Sequence, residues 1–251
     1  MIVLRSPDEI KKLRASNRIV ASVMGEIKKA IHPGTTTLEL DEMAEKLVLD
    51  MGGTPAFKGY KGFKHTLCTS VNEQVVHGIP NERKLQEGDI LSIDIGVKLD
   101  GYFGDHAVTV PVGKVSEDAQ RLLRFCEEAL WKGIERAKAG NRLFDVSNAI
   151  QVHAEAAGFS VVKVYVGHGI GTSLHEEPQV PNYGEAGRGP LIRKGMALAI
   201  EPMLNVGTKD TKQMDDGWTV VTADGSLCAH FEHTVVITER GAEVTTRLNG
   251  D

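Results

Sequence analysis

Cysteine is scarce in this chain of 251 residues: Cys68, Cys126 and Cys228 are scattered and odd in number. That excludes a disulfide framework and a CxxC pair and points to a reducing compartment, with the cytoplasm as the expected location. No apolar run approaches the roughly 20 residues of a membrane-spanning helix, so no membrane partner is expected. The opening stretch MIVLRSPDEIKKLR is charged early and holds no apolar core of a secretory leader. Neither sign of charge dominates. Lys+Arg 29 against Asp+Glu 34 leaves a net charge of -5, which gives no sign of a nucleic-acid-binding surface. Low-complexity segments and polar linkers are absent too, so the expectation is one domain over 1–251. With 41% hydrophobic and 25% charged residues, the composition is that of a globular protein with a sizeable core.

What is present is ordered punctuation. Ser6-Pro7-Asp8-Glu9 supplies an N-cap, a proline at the first helical position and a glutamate three residues after the cap. Ile10, Leu13, Val20, Val23, Ile27 and Ile31 continue a helical stripe until His32-Pro33-Gly34 stops it. Thr36 and Glu39 form a second candidate capping box for a helix over about Leu38–Met51, ended by Gly52-Gly53. Strands and loops follow to about residue 115. Further helices are expected from about Ser116 to Lys138 and from about Leu143 to Ala157, with strands and loops after them. The order is helix, helix, strands, twice over. Residues 33–53 align without gaps to 139–159, pairing Leu38 with Phe144, Glu39 with Asp145 and Gly52 with Gly158. Two explanations stay open: similar helix-after-glycine segments, or a duplication giving pseudo-repeat halves of about 1–115 and 116–251.

The stretch SIDIGVKLDGYFGDHA (92–107) reads as a β-hairpin around Asp100-Gly101. That turn pairs Leu99 with Tyr102, Val97 with Gly104 and Gly96 with Asp105. Asp94 then shares a face with Gly96, so Asp94 and Asp105 are diagonal neighbours, roughly 7–8 Å apart at Cα. Strands usually avoid aspartate. For a hairpin alone, one turn aspartate and one solvated one is the favoured explanation.

Other β-rich stretches carry similar oddities: His168 in VYVGHGIG, Glu201 in MALAIEPM, Glu232 in AHFEHTVVIT and His77 in VVHGIP. Buried ionisable groups need partners, and few Lys or Arg lie beside these in sequence. Asp94, Asp105, Glu201 and Glu232 carry four negative charges and His168 is neutral, a set that two divalent cations would balance. Oxygen donors with one imidazole favour Mn²⁺ or Fe²⁺ and tolerate Co²⁺ or Zn²⁺. No HExxH helix motif is present.

Taken together, IDIGVKLDGYFGD, GHGIG, HEEP, AIEPM, FEHTVVIT and VNEQVVHGIP, in chain order over nearly the whole length, resemble the bacterial, type I methionine aminopeptidases of the pita-bread metallopeptidase family. The resemblance implies an α+β fold with a curved antiparallel sheet, flanking helices and pseudo-twofold halves. It implies a hydrolase that removes N-terminal methionine from peptides and nascent chains by attack of a dimetal-bound hydroxide, preferring a small second residue. It also implies Asp94, Asp105, His168, Glu201 and Glu232 as metal ligands, with Asp105 and Glu232 bridging. His77 would sit near the substrate amine, His175 would donate to the substrate carbonyl, and Glu201 would carry the proton. Phe57, Tyr60, Phe63, Cys68 and Trp218 would line the methionine pocket, Trp218 from a polar run, KQMDDG, that reads as a mobile loop.

The resemblance further implies a monovalent cation near SVNEQ and Cys228, and the ribosome as a candidate partner met through the domain's own surface. A monomer is the default. Leu174, Thr172-Ser173 and Phe63 depart from the family's usual residues, which bears on the pocket rather than on the ligands. Two rivals remain: a Xaa-Pro-cleaving relative, which shares the fold and ligands but normally carries an additional N-terminal domain, and a non-catalytic binding scaffold.

Overall fold

Both capping boxes form. Ser6 Oγ accepts from the Glu9 amide at 3.3 Å and the Glu9 carboxylate accepts from the Ser6 amide at 2.8 Å, opening α1 (Pro7–Ala30). Thr36 and Glu39 do the same at 3.1 and 2.7 Å for α2 (Thr37–Asp50). The computed structural model describes residues 1–248 and adds α3 (Glu117–Arg136) and α4 (Leu143–Ala156), within two residues of the expected bounds. α2 and α4 begin and end 106 residues apart, at positions 37 and 143, then 50 and 156. Gly34 and Gly140, three residues before each helix, take φ of 99° and 97°, a left-handed conformation open chiefly to glycine.

Among the described residues nine strands form the main sheet, and every pairing in it is antiparallel. Its path runs from Thr54–Pro55 through the hairpin Ile90–Leu99 and Tyr102–Pro111 to Glu232–Thr238, Ala197–Ile200, Gly167–Gly169 and Glu176–Val180. Leu67–Val71 joins the outer side of the hairpin, and Gly241–Val244 pairs with Glu232–Thr238. Asp100 and Gly101 have φ of 49° and 84°, as a two-residue hairpin turn with both residues left-handed requires. The register is the expected one: Leu99 faces Tyr102, Val97 faces Gly104 and Gly96 faces Asp105. The apolar run 229–238 divides at Phe231. Cys228–His230 enters a small sheet with Met203–Asn205 and Ser160–Val161, and Glu232 begins a main-sheet strand.

α1 packs on the hairpin, while α3 packs on α4 and on the strands of the second half. The approach of α1 is close: a Cβ on Gly104 would lie 2.6 Å from Asn17 Oδ1. One buried apolar cluster runs from α1 and α2 through the sheet to α3 and α4. A smaller one gathers Phe57, Phe63, Cys68, Leu174 and neighbours around a cavity in the sheet's concave face. This is the α+β pita-bread architecture. Among the described residues no helix is long and apolar enough to cross a membrane.

Candidate metal centre

Strand register puts four candidate ligands on one face and brings a fifth just past a strand end. Directly opposed residues in a sheet point the same way, as do residues two apart along a strand. Cys68 faces Asp94, Asp94 faces Ala107, and Ala107 faces Glu232, a single row across four strands. Asp105 is two residues from Ala107 and joins that face. Thr234, two residues beyond Glu232, faces Ala199, which faces His168. Glu201 follows two residues after Ala199, just past the strand end.

The side chains converge accordingly. His168 Nε2 lies 3.5 Å from Glu201 Oε1 and 3.8 Å from Asp105 Oδ2. Ligand atoms of Asp105, His168 and Glu232 all lie within 4.8 Å of one another. His168 Nδ1 donates to the Gly169 carbonyl at 2.9 Å, which leaves the Nε2 lone pair facing the carboxylates. Burial holds His168 neutral, down to about 3.

Burial pushes all four carboxyls well above the usual range. Repulsion from Glu232 and Asp94 adds to it at Asp105, and repulsion from Asp94 and Asp105 adds to it at Glu201. The basic side chains within 4 Å of them are the neutral imidazoles of His168 and His230, and among the described residues no lysine or arginine neutralises them. Asp94 Oδ1, Asp105 Oδ1 and Glu232 Oε1 are buried without any hydrogen-bond partner. Orphaned oxygens at this density are costly unless a cation supplies what protein donors do not, so the residues fit divalent metal ions.

The remaining expected site residues border the same cavity of about 220 Å³. His175 stacks obliquely on His168, ring centres 4.3 Å apart, and its Nδ1 is bonded to the Tyr60 hydroxyl at 2.9 Å. His77 adopts a positive φ of 59°, and its ring sits edge-on to Tyr165 and Trp218. Burial lowers its pKa to about 4. Trp218 meets Phe63 edge-on at 5.0 Å. Phe57 lies on the backbone of Gly96, where a Cβ would fall 2.6 Å from its ring, so it is both pocket wall and core. The polar run before Trp218 is not a loose loop. Thr211–Gln213 is a strand, and Asp216 Oδ1 closes the turn after it by accepting from the Trp218 and Thr219 amides at 2.8 Å each.

Three polar residues among those lining the cavity carry no assigned role in the sequence reading: His230, Tyr165 and Lys61. His230 is buried, with Nε2 unpartnered and 3.7 Å from Glu201 Oε2. Its spacing of two from Glu232 was the available signal. Nothing local marks Lys61 or Tyr165.

A profile of metallopeptidase family M24 matches residues 11–239. The chain belongs to metallopeptidase family M24. Among M24 relatives, methionine aminopeptidase 1 of Bacillus subtilis (strain 168) is 53% identical over 248 residues, 99% of this chain and 100% of that protein. The crystal structure of methionine aminopeptidase from Thermotoga maritima superposes with a TM-score of 0.97 at 48% identity, covering 99% of this chain and 100% of that one. The Xaa-Pro dipeptidase from Bacillus anthracis shares the M24 fold at a TM-score of 0.78 but only 21% identity, and this chain covers 63% of its length.

Proposed function

We propose that this chain is a metalloaminopeptidase that removes the N-terminal methionine from peptides and nascent proteins, with a small second residue preferred. One observation carries the reading. Buried, partnerless oxygens of Asp94, Asp105 and Glu232 face a cavity that is also lined by neutral histidines, aromatic rings and a thiol. Near-full-length identity to proteins named methionine aminopeptidase supports it.

Asp94, Asp105, His168, Glu201 and Glu232 would hold two divalent ions. Bound there, such ions supply Lewis-acid polarisation of the scissile carbonyl and lower the pKa of a water at the site. Oxygen-rich ligation with one imidazole suits Mn²⁺ or Fe²⁺ and admits Co²⁺ or Zn²⁺. Glu201 takes the proton of the attacking water and returns it to the leaving amine. The Tyr60 hydroxyl is hydrogen-bonded to His175 Nδ1 at 2.9 Å; with that nitrogen as the acceptor, the His175 proton is on Nε2, free to meet the oxygen of the substrate carbonyl as charge develops. His77, neutral near pH 7, sits beside the substrate amine without repelling it. Phe57, Tyr60, Phe63, Cys68 and Trp218 enclose the thioether side chain, for which rings and sulfur are suited neighbours.

The wider reading is a monomer acting in the cytoplasm, where free Cys68, Cys126 and Cys228 stay reduced, and meeting nascent chains at the ribosome. A monovalent cation belongs at the turn after Val71, which the Cys228 amide joins by donating to the Asn72 carbonyl at 2.9 Å. The test is an assay of chelated and metal-reloaded protein on Met-Ala-Ser and on a proline-containing dipeptide. Metal-dependent release of methionine from the tripeptide is expected. Cleavage of the proline dipeptide alone would assign a dipeptidase, and no cleavage with any divalent ion would leave a binding scaffold.

A further inference from the structure

We propose that Arg5 is a positioning residue for the loop 171–175, acting through the Glu176 carboxylate; the functional consequence rests on the reading of His175 given above. Arg5 precedes α1 and is distant in sequence from every donor of the metal centre. Its side chain is nevertheless 4% exposed and paired with Glu176 Oε2. The other oxygen of that carboxylate, Oε1, accepts from the Thr172 amide at 2.8 Å, the Thr172 hydroxyl at 3.2 Å and the Ser173 amide at 3.0 Å. One carboxylate therefore ties the turn on one side and the guanidinium on the other.

The turn leads directly into Leu174, which is buried in the cavity wall, and into His175. Room for this arrangement is made in the backbone. A Cβ on Gly171 would fall 2.0 Å from Arg5 Nη2, so the guanidinium occupies the space a side chain would take. Arg5 is itself fixed, its amide donating to the Gly195 carbonyl at 2.7 Å, while Nη1 reaches Glu9 Oε1 at 3.5 Å. On the far side of the loop the Phe103 amide donates to the Gly171 carbonyl at 2.8 Å. Removing the guanidinium leaves a largely buried carboxylate unpaired, and an unpaired carboxylate in that position swings toward water. That swing carries Oε1 away and releases the two amides that shape the turn. A shift of about 1 Å in a substrate-positioning group is enough for a loss of about 100-fold in turnover.

The experiment compares full-length wild type, Arg5→Met and Arg5→Lys after identical metal loading. It measures kcat, KM, bound metal and amide hydrogen exchange at Thr172 and Ser173. Arg5→Met is expected to lose about 100-fold in kcat, to retain its metal and to lose protection at those two amides. Arg5→Lys, which keeps the charge, is expected to recover protection and all but about 10-fold of kcat. Should Arg5→Met prove too unstable, the double variant Arg5→Met/Glu176→Gln leaves no unpaired charge and should restore protection at both amides. Unchanged exchange at Thr172 and Ser173 in Arg5→Met, or a loss of kcat matched by loss of bound metal, overturns the proposal. The exchange measurement needs no turnover, so wild type inactive on Met-Ala-Ser would count against the proposed function and not against the role of Arg5.

Discussion

The hydroxyl of Thr234 grips Asp105 from the adjacent strand, donating to its carbonyl at 2.8 Å and accepting from its amide at 3.3 Å. Thr109 grips His230 in the same way, at 2.8 Å to each backbone group. Ladder pairing of the hairpin with Glu232–Thr238 occurs only at Glu232 and His233, so side-chain hydroxyls take over where backbone pairing stops. Backbone fixed in this way can hold mutually repelling carboxylates in place before any cation arrives.

Thr234→Val keeps the shape and removes both bonds. It is expected to cost about 1–3 kcal/mol of stability, because the Asp105 amide and carbonyl stay buried without partners. Metal affinity should weaken by about 10–100-fold, the usual scale for losing a group that orients a ligand. Thr234→Ser retains the hydroxyl and should recover most of both. Thermal unfolding and calorimetric metal titration read the two effects separately; wild-type affinity in the valine variant would mean that the grip does not orient Asp105.

Asp105→Asn should separate the cost of the centre from its use. In the metal-free protein, burial and neighbouring charge raise the Asp105 pKa, so the folded state binds this proton more tightly than the unfolded chain does. The resulting penalty is absent below the ordinary value of 3.8 and grows as pH rises above it. At pH about 7.5 the metal-free variant is therefore expected to melt higher than metal-free wild type. Adding a divalent ion should stabilise wild type strongly and the variant little, and the variant should turn over no peptide. A lower melting point for the metal-free variant, or turnover near the wild-type rate, would contradict this account.

Local signals carried the frame. Ser6 with Glu9 and Thr36 with Glu39 marked helix starts because capping is a short-range hydrogen-bond pattern. Asp100-Gly101 fixed the hairpin register, and with it the shared face of Asp94 and Asp105, because that two-residue turn allows few alternatives. His168, Glu201 and Glu232 were suspect as ionisable groups in apolar strands, although their convergence depends on a strand order that no short window contains. Arg5 gave no signal at all: its partner lies 171 residues away, and an arginine before a helix looks like any surface cation. His230 stayed hidden because Glu232 offered a stronger reason for the same run.

His77 offers a test by pH. Burial first, then the charges of His175 and Lys61, lower its pKa from 6.5 to about 4. Between those values the unfolded chain binds a proton that the folded protein does not, so stability falls as pH drops through that window. His77→Gln removes this titration. The loss of melting temperature between pH about 7 and pH about 5 should therefore be smaller in the variant than in wild type. Equal losses would mean that His77 titrates normally and is not held neutral by its surroundings.

Trp218 is the wall most open to redesign. Its ring meets Phe63 edge-on at 5.0 Å and lies 6.4 Å from His77, so it joins the apolar pocket to the histidine side of the cavity. Asp216 fixes the turn beneath it, with Oδ2 accepting from the Thr219 hydroxyl at 2.6 Å in addition to the two amide bonds at Oδ1. Trp218→Ala should enlarge the cavity without touching the carboxylates or His168 of the candidate centre. Methionine would then lack one wall of its pocket, at a cost of about 1–3 kcal/mol, or roughly 10–200-fold in kcat/KM. A bulkier N-terminal residue would suffer less, because its larger side chain fills the space the indole leaves. The preference for Met-Ala-Ser over Phe-Ala-Ser should therefore narrow by about 10-fold. Bound metal should stay at the wild-type level. Asp216→Ala, which frees the turn while leaving the indole in place, should narrow the preference less than Trp218→Ala does. Unchanged kcat/KM for both peptides in Trp218→Ala would remove this residue from the pocket and leave Phe57, Phe63 and Cys68 to set the side-chain preference.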